Sequence, residues 1–218
     1  MSFVRKVVTM VCVQAVFLSW AFAADQPEIN LQAGQNRLVR ATTIPDGFAG
    51  VPWGASKVQI VKIMNGRGYR QIAGDQPDEL HFRGEFAGVS CQLNFDLIVD
   101  SFHTGEAAGC ARSPSPDGPQ ATFKRIIDML SKEYGEPHKR RSESIRNSSG
   151  KVLPWVWAEW NLSKAETSDK YSIYVIYSAA SSADTKVDQY AVSVIYSADT
   201  LKRRLIDRIK PIPGPVID

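Results

Sequence analysis

The chain has 218 residues, with 26 basic and 23 acidic side chains, a net charge of +3 and a sequence pI of about 8.7. Two of the basic residues, Arg5 and Lys6, lie in an N-terminal stretch without acidic residues, so the remainder carries +3 − 2 = +1. So small an excess excludes a global electrostatic case for nucleic acid or an anionic membrane as partner.

The first 23 residues read as a signal peptide. Arg5 and Lys6 form a basic start, "VVTMVCVQAVFLSW" an apolar run over residues 7–20, and Ala21-Phe22-Ala23 a small-x-small cleavage site. The run is shorter than the roughly 20 apolar residues of a membrane span, although an uncleaved anchor is its other reading. Cleavage leaves 218 − 23 = 195 residues, enough for one domain or two small ones with a real core. The expected location is therefore periplasmic or secreted, with no integral membrane segment after cleavage. Cys12 departs with the leader, and Cys91 and Cys110 remain. Two thiols in an oxidising compartment pair as a structural disulfide. The alternative, a catalytic thiol, has neither a Cys-x-x-Cys motif nor a neighbouring histidine to support it.

Residues 24–44 form a polar lead-in, with one short strand near Leu38-Val39. The Pro45-Asp46-Gly47 turn opens a first compact part, residues 45–112. Ser56 with Gln59 makes a capping box. Val58, Val61 and Met64 follow at helical spacing, widened by Ile60 and Ile63, and Asn65-Gly66 is the expected stop. Trp53 before the cap is placed either to pack over the first turn or to meet a ligand. The tetrapeptide Phe48-Ala49-Gly50-Val51 returns as Phe86-Ala87-Gly88-Val89. The two copies do not fall at equivalent places in the two halves and argue poorly for duplication. Short strands are predicted in "GYRQIAG" and "ELHFRG". "VSCQLNFDLIVD" alternates as a half-buried strand with Cys91 facing inward, and "TGEAAGCAR" is its return strand. A turn centred on Asp100-Ser101 would set Cys91 opposite Cys110.

Residues 113–119, "SPSPDGP", are too rich in proline for a core element and read as a joint. The second part, residues 120–210, opens with a helix marked by Phe123, Ile126, Ile127, Leu130 and Tyr134, closed by Gly135 and Pro137. Four strands are predicted at 139–145, 153–162, 171–178 and 187–196. A last helix over 199–209 carries Leu201, Leu205 and Ile209 on one side, and residues 211–218 form a tail. The fold class is α+β: two halves, each a helix plus an antiparallel meander, with a C-terminal helix. Helices should cover one sheet face, leaving the other open or paired.

"FAGVPWGASKVQIVKIMNGRGY", "LHFRGEFAG", "LNFD" and "LSKEYGEP" together resemble a recurring layout in small, uncharacterised exported bacterial proteins. There a W-G-[ST] helix entry precedes a G-Y end, and a later helix closes on Y-G-x-P. Trp53-Gly54-Ala55-Ser56 carries one inserted residue against that layout, and Tyr134-Gly135-Glu136-Pro137 matches it in full. The resemblance covers about residues 46–137. The helix-then-meander plan is also similar to the folds of an outer-membrane assembly lipoprotein and a β-lactamase inhibitor protein. The first of these families begins its mature chain with a lipidated cysteine, which this chain lacks.

Catalytic motifs are absent from the sequence: it has no Gly-x-Ser-x-Gly elbow, no His-Glu-x-x-His helix and no phosphate-binding glycine loop. His81 is placed in a short strand, His103 in a loop and His138 after a helix stop, without metal-ligand spacing, so no cofactor or metal is expected. Aromatic residues stand out instead. Trp155 and Trp157 alternate away from Trp160, and Tyr171 and Tyr177 share a strand face. They read either as sheet core or as an exposed face that grips a partner. The expected function is a non-catalytic binding module of a bacterial envelope, holding a protein partner through Trp155, Trp157, Tyr171, Tyr177 and Trp53. Carriage of a small apolar ligand is the alternative, and an enzyme built around His103 or His138 a third.

Overall fold

The structure, a computed structural model, describes residues 44–74, 76–146, 150–164, 166–181 and 188–209. The segment expected as a signal peptide, the lead-in through residue 43 with the strand expected near Leu38-Val39, and the C-terminal tail lie outside them. Among the described residues no helix is long and apolar enough to cross a membrane.

Residues 47–52 form a small hairpin, β1 (Gly47–Phe48) and β2 (Val51–Pro52). Helix α1 (Lys57–Gly66) precedes β3 (Arg70–Ile72), β4 (Glu79–Phe86), β5 (Val89–Ile98) and β6 (Ser101–Ser113). Helix α2 (Asp117–Tyr134) precedes β7 (Lys139–Arg146), β8 (Val152–Ser163), β9 (Lys170–Ser181) and β10 (Asp188–Ser197), and α3 (Asp199–Ile209) closes the described chain. The expected halves are both there, each a helix followed by a four-stranded antiparallel meander. They do not make separate sheets. β6 pairs with β10, which fuses them into one eight-stranded sheet of order β3-β4-β5-β6-β10-β9-β8-β7.

The FAGV echo has a local cause. In both copies the central Ala and Gly are left-handed, at φ 50° and 71° for Ala49-Gly50 and 50° and 72° for Ala87-Gly88. Phe48 pairs with Val51 and Phe86 with Val89. Each is a two-residue hairpin with positive φ at both turn positions, the twist that right-handed strands prefer. The two phenylalanine rings then meet, 6.1 Å apart.

Helix α1 begins as expected. Gln59 N donates to Ser56 Oγ (3.3 Å), and Ser56 N donates to Gln59 Oε1 (2.8 Å). Its end and its buried stripe differ from expectation. The helix runs through Gly66 to a cap at Arg67, and Ile60 and Met64 are its buried pair while Val58 is exposed. Several hydrophobic stripes are available on so apolar a helix, and the sheet beneath selects one. Helix α2 begins at Asp117, inside the segment expected as a joint, and Pro119 is buried in its first turn. Proline is tolerated there because first-turn N–H groups have no helical partner.

Helices α1 and α2 lie on the same sheet face. Ile60, Met64, Ile126 and Leu130 join alternate residues of the strands in one core, among them Phe82, Leu93, Phe95, Phe102, Trp160, Ile173, Val175, Val192 and Val194. Gly105 makes room for the Phe48 ring: a Cβ at that position would stand 2.2 Å from Phe48 Cδ1. Cys91 and Cys110 belong to this core and form a disulfide, with Cα atoms 4.5 Å apart. The hairpin that carries them turns at Val99-Asp100, one residue earlier than expected. A register slip in the β5–β6 pairing and left-handed Gly109 restore the alignment of the cysteines.

Candidate functional site

Strand register decides which aromatic residues share a surface. In the β8–β9 pair Trp155 is opposite Ser178, Trp157 opposite Ile176 and Glu159 opposite Tyr174. Odd-numbered residues of β8 therefore share a face with even-numbered residues of β9. Tyr171 and Tyr177 point the other way, toward the helices. Tyr177 is buried, accepts a hydrogen bond from Gln120 Nε2 on α2 (3.4 Å) and stacks against Tyr190 at 6.3 Å. Trp53 is on the helix side too. Its ring stacks on Phe102 at 5.0 Å and lies 6.5 Å from Tyr171, and its Nε1 donates to Pro45 O (2.8 Å). Of the five aromatic residues expected to act together, only Trp155 and Trp157 are on the face opposite α1 and α2.

That face has other members the sequence did not single out. One row crosses all eight strands: Lys139, Glu159, Tyr174, Ile195, Glu106, Asn94, His81 and Ile72, each opposite the next. A second runs Arg141, Trp157, Ile176 and Ser193. In the second meander Trp155, Trp157, Tyr174, Ile176 and Ile195 are half-buried and form an aromatic and aliphatic patch. The Arg141 guanidinium sits 5.9 Å from the centre of the Trp157 ring and 3.2 Å from Glu143 Oε1. Tyr174 donates its hydroxyl proton to Glu159 Oε1 (3.1 Å), and Asn161 Nδ2 donates to the same oxygen (3.0 Å). Burial, reinforced by the Glu159 charge, pushes the Tyr174 hydroxyl up to about 12, so it remains a donor at any physiological pH. Even numbering on β9 was the available signal for Tyr174 and Ile176, but it has meaning only once the register to β8 is known.

In the first meander the same face is polar. His81 Nδ1 is 2.8 Å from Asn94 Oδ1, Gln92 Nε2 donates to that oxygen (2.9 Å), and Asn94 Nδ2 donates to Glu106 Oε2 (3.1 Å). His81 Nε2 is 3.4 Å from Glu79 Oε2. Helix α3 takes one end of this face. Ser172 Oγ donates to Asp199 Oδ1 (3.2 Å), and the helix packs against β5, β6 and β9 and buries Leu205.

The two histidines considered for catalysis are in structural settings. His138 Nδ1 accepts the Asn161 N–H (3.0 Å). His103 is in β6 rather than in a loop, 4% exposed, with Nδ1 2.7 Å from Thr104 Oγ1. Burial, and then the Lys202 charge, pull its pKa down to about 4 from 6.5. Protons bind the unfolded chain first, so the folded state loses stability as pH falls from 6.5 toward 4. Wild type should lose about 2 kcal/mol more than His103→Gln between pH 7.5 and 4.5, as read from urea denaturation at each pH. Parallel losses would mean His103 takes up its proton freely when folded.

Among the described residues no group of three or more His, Cys, Asp or Glu side chains converges as metal ligands would. The layer between the helices and the sheet is filled by side chains with no exposure, among them Ile60, Met64, Ile126, Leu130 and Trp160. What the open face presents is a half-buried aromatic and aliphatic patch with hydrogen-bonding groups beside it. No protein-family model matches the chain, and neither a curated protein nor a solved structure is similar to it.

Proposed function

We propose that this chain is an exported, non-catalytic binding module of a bacterial envelope that holds a protein partner on the open sheet face. One observation carries the proposal: Trp155, Trp157, Tyr174, Ile176 and Ile195 form a half-exposed patch on the face that α1 and α2 leave uncovered. Trp and Tyr are favoured at binding hot spots because they bury much area with few rotatable bonds, and Arg141 over Trp157 extends the patch with a cation of the guanidinium type also enriched there. A β-sheet holds such side chains in fixed positions, so little entropy is lost on docking. The N-terminal basic and apolar pattern and the Cys91–Cys110 disulfide support an oxidising location outside the cytoplasm.

The test begins with crosslinking in intact envelopes and identification of the captured protein by mass spectrometry. The affinity of that purified protein is then measured for wild type and for the Trp155→Ala/Trp157→Ala pair. Two hot-spot truncations should weaken binding by about a hundredfold or more while leaving the circular dichroism spectrum unchanged. Equal affinities would remove this face from the account.

A further inference from the structure

At the other end of the open face the sheet splits. The β5–β6 ladder extends only to Gln92 opposite Ala108, while β5 continues beside β4 to Val89 and β6 continues beside β10 to Ser113. A cleft of about 590 Å³ opens between the diverging strands, lined by Arg83, Ser90, Gln92, Gly109 and Arg112, with Cys91 in its wall. The disulfide to Cys110 holds its two sides together.

Three features give this cleft a chemical sign. First, Arg70 and Arg83 are directly opposite each other across β3 and β4, an arrangement that like charges make unfavourable. Second, among the described residues neither these two nor Arg112 forms an ion pair, and Glu85, two residues along β4 from Arg83, does not neutralise them. Third, β6 is distorted in a way that aims Arg112 into the gap. The β6–β10 register slips on both sides of Val192, the partner of Cys110, and Gly109 and Ala111 are left-handed, at φ 63° and 53°. Left-handed alanine is strained, and paired slips of this kind re-aim side chains at functional sites. Here they bring Arg112 back over residue 109, where a Cβ would stand 3.2 Å from Arg112 Nη2.

We propose that this cleft binds a small, doubly charged oxyanion, a phosphate monoester or a dicarboxylate. Arg83 and Arg112 supply paired N–H forks, Gln92 and Ser90 add neutral donors, and Arg70 adds charge. Guanidinium forks match both phosphate and carboxylate oxygens, and an anion between the arginines relieves their mutual repulsion. The site is in the first meander, separate from Trp155 and Trp157, so its failure would leave the docking proposal standing.

The experiment is an NMR titration of the full mature chain with inorganic phosphate, malonate and, at matched ionic strength, sodium chloride. Amide signals of Ser90, Gln92, Gly109 and Ala111 should shift and saturate with phosphate or malonate but not with chloride. The tighter of the two names the ligand class. Arg83→Gln and Arg112→Gln should each weaken binding about tenfold, whereas Arg203→Gln on α3 leaves it unchanged. All three arginines are exposed, so the variants should fold. Shifts that follow ionic strength alone, or that both cleft variants leave untouched, would overturn the assignment.

Discussion

Truncating Trp160 to alanine is expected to destabilise the fold by about 4 kcal/mol, since large aromatic deletions in a closed core lose both transfer energy and packing. Trp160 has no exposed surface, and it sits on β8 with its ring among the residues beneath α2. It also joins two elements directly: Nε1 donates to Gly135 O (2.7 Å), the carbonyl of the residue that caps α2. Trp160→Phe keeps one six-membered ring but loses that hydrogen bond and part of the indole volume, so its cost should be smaller, about 2 kcal/mol. Trp155→Ala, on the open face, should cost less than either. Urea midpoints at unchanged m-value give all three numbers. A Trp160→Ala cost below that of Trp155→Ala would reverse the assignment of inner and outer faces.

Removing the disulfide by Cys91→Ala/Cys110→Ala is expected to cost about 3 kcal/mol, from the loop it closes in the unfolded chain. The cysteines are 19 residues apart and both are buried, so alanine pairs leave no polar atom stranded. The bond also has a local task. Beyond Gln92 and Ala108 no ladder joins β5 to β6, and the disulfide is the covalent tie across the split. Hydrogen exchange at residues 89–91 and 109–112 should therefore rise more than elsewhere when the bond is reduced. Uniform acceleration across the sheet, or a stability change near zero, would show that β4 and β10 hold these strands unaided.

Much of the architecture follows from signals within about ten residues of one another. The Ser56–Gln59 capping box, the Tyr134-Gly135 helix end and the polar loops between the last four strands place elements with little ambiguity. The disulfide was legible from two thiols in an expected oxidising compartment; its place opposite in the hairpin was not, because the turn sits one residue earlier and a register slip at Asp96/Leu97 with left-handed Gly109 makes up the difference. Bulges are invisible in hairpin arithmetic because the extra residue is absorbed by backbone geometry and not announced by side-chain type.

The candidate surface was only half legible. Trp155 and Trp157 are recognisable in the sequence as one face of β8, but nothing in it separates them from Tyr171 and Tyr177, which point the opposite way. A register shift of one residue exchanges every side chain between the faces of a strand, and nothing in either strand alone sets that shift. Arg141, Tyr174 and Ile195 join the patch from three further strands, so no sequence window contains them together.

By itself, then, the chain's local chemistry determined an α+β plan of two helix-led meanders with a paired cysteine hairpin, because capping, turn formation and periodicity act between near neighbours. Tertiary structure alone decided that β6 meets β10 to make one sheet, that α1 buries Ile60 and Met64, and which aromatics and arginines share the open face. Those outcomes depend on pairing between strands far apart in sequence, where edges and registers compete and packing against the helices selects among them.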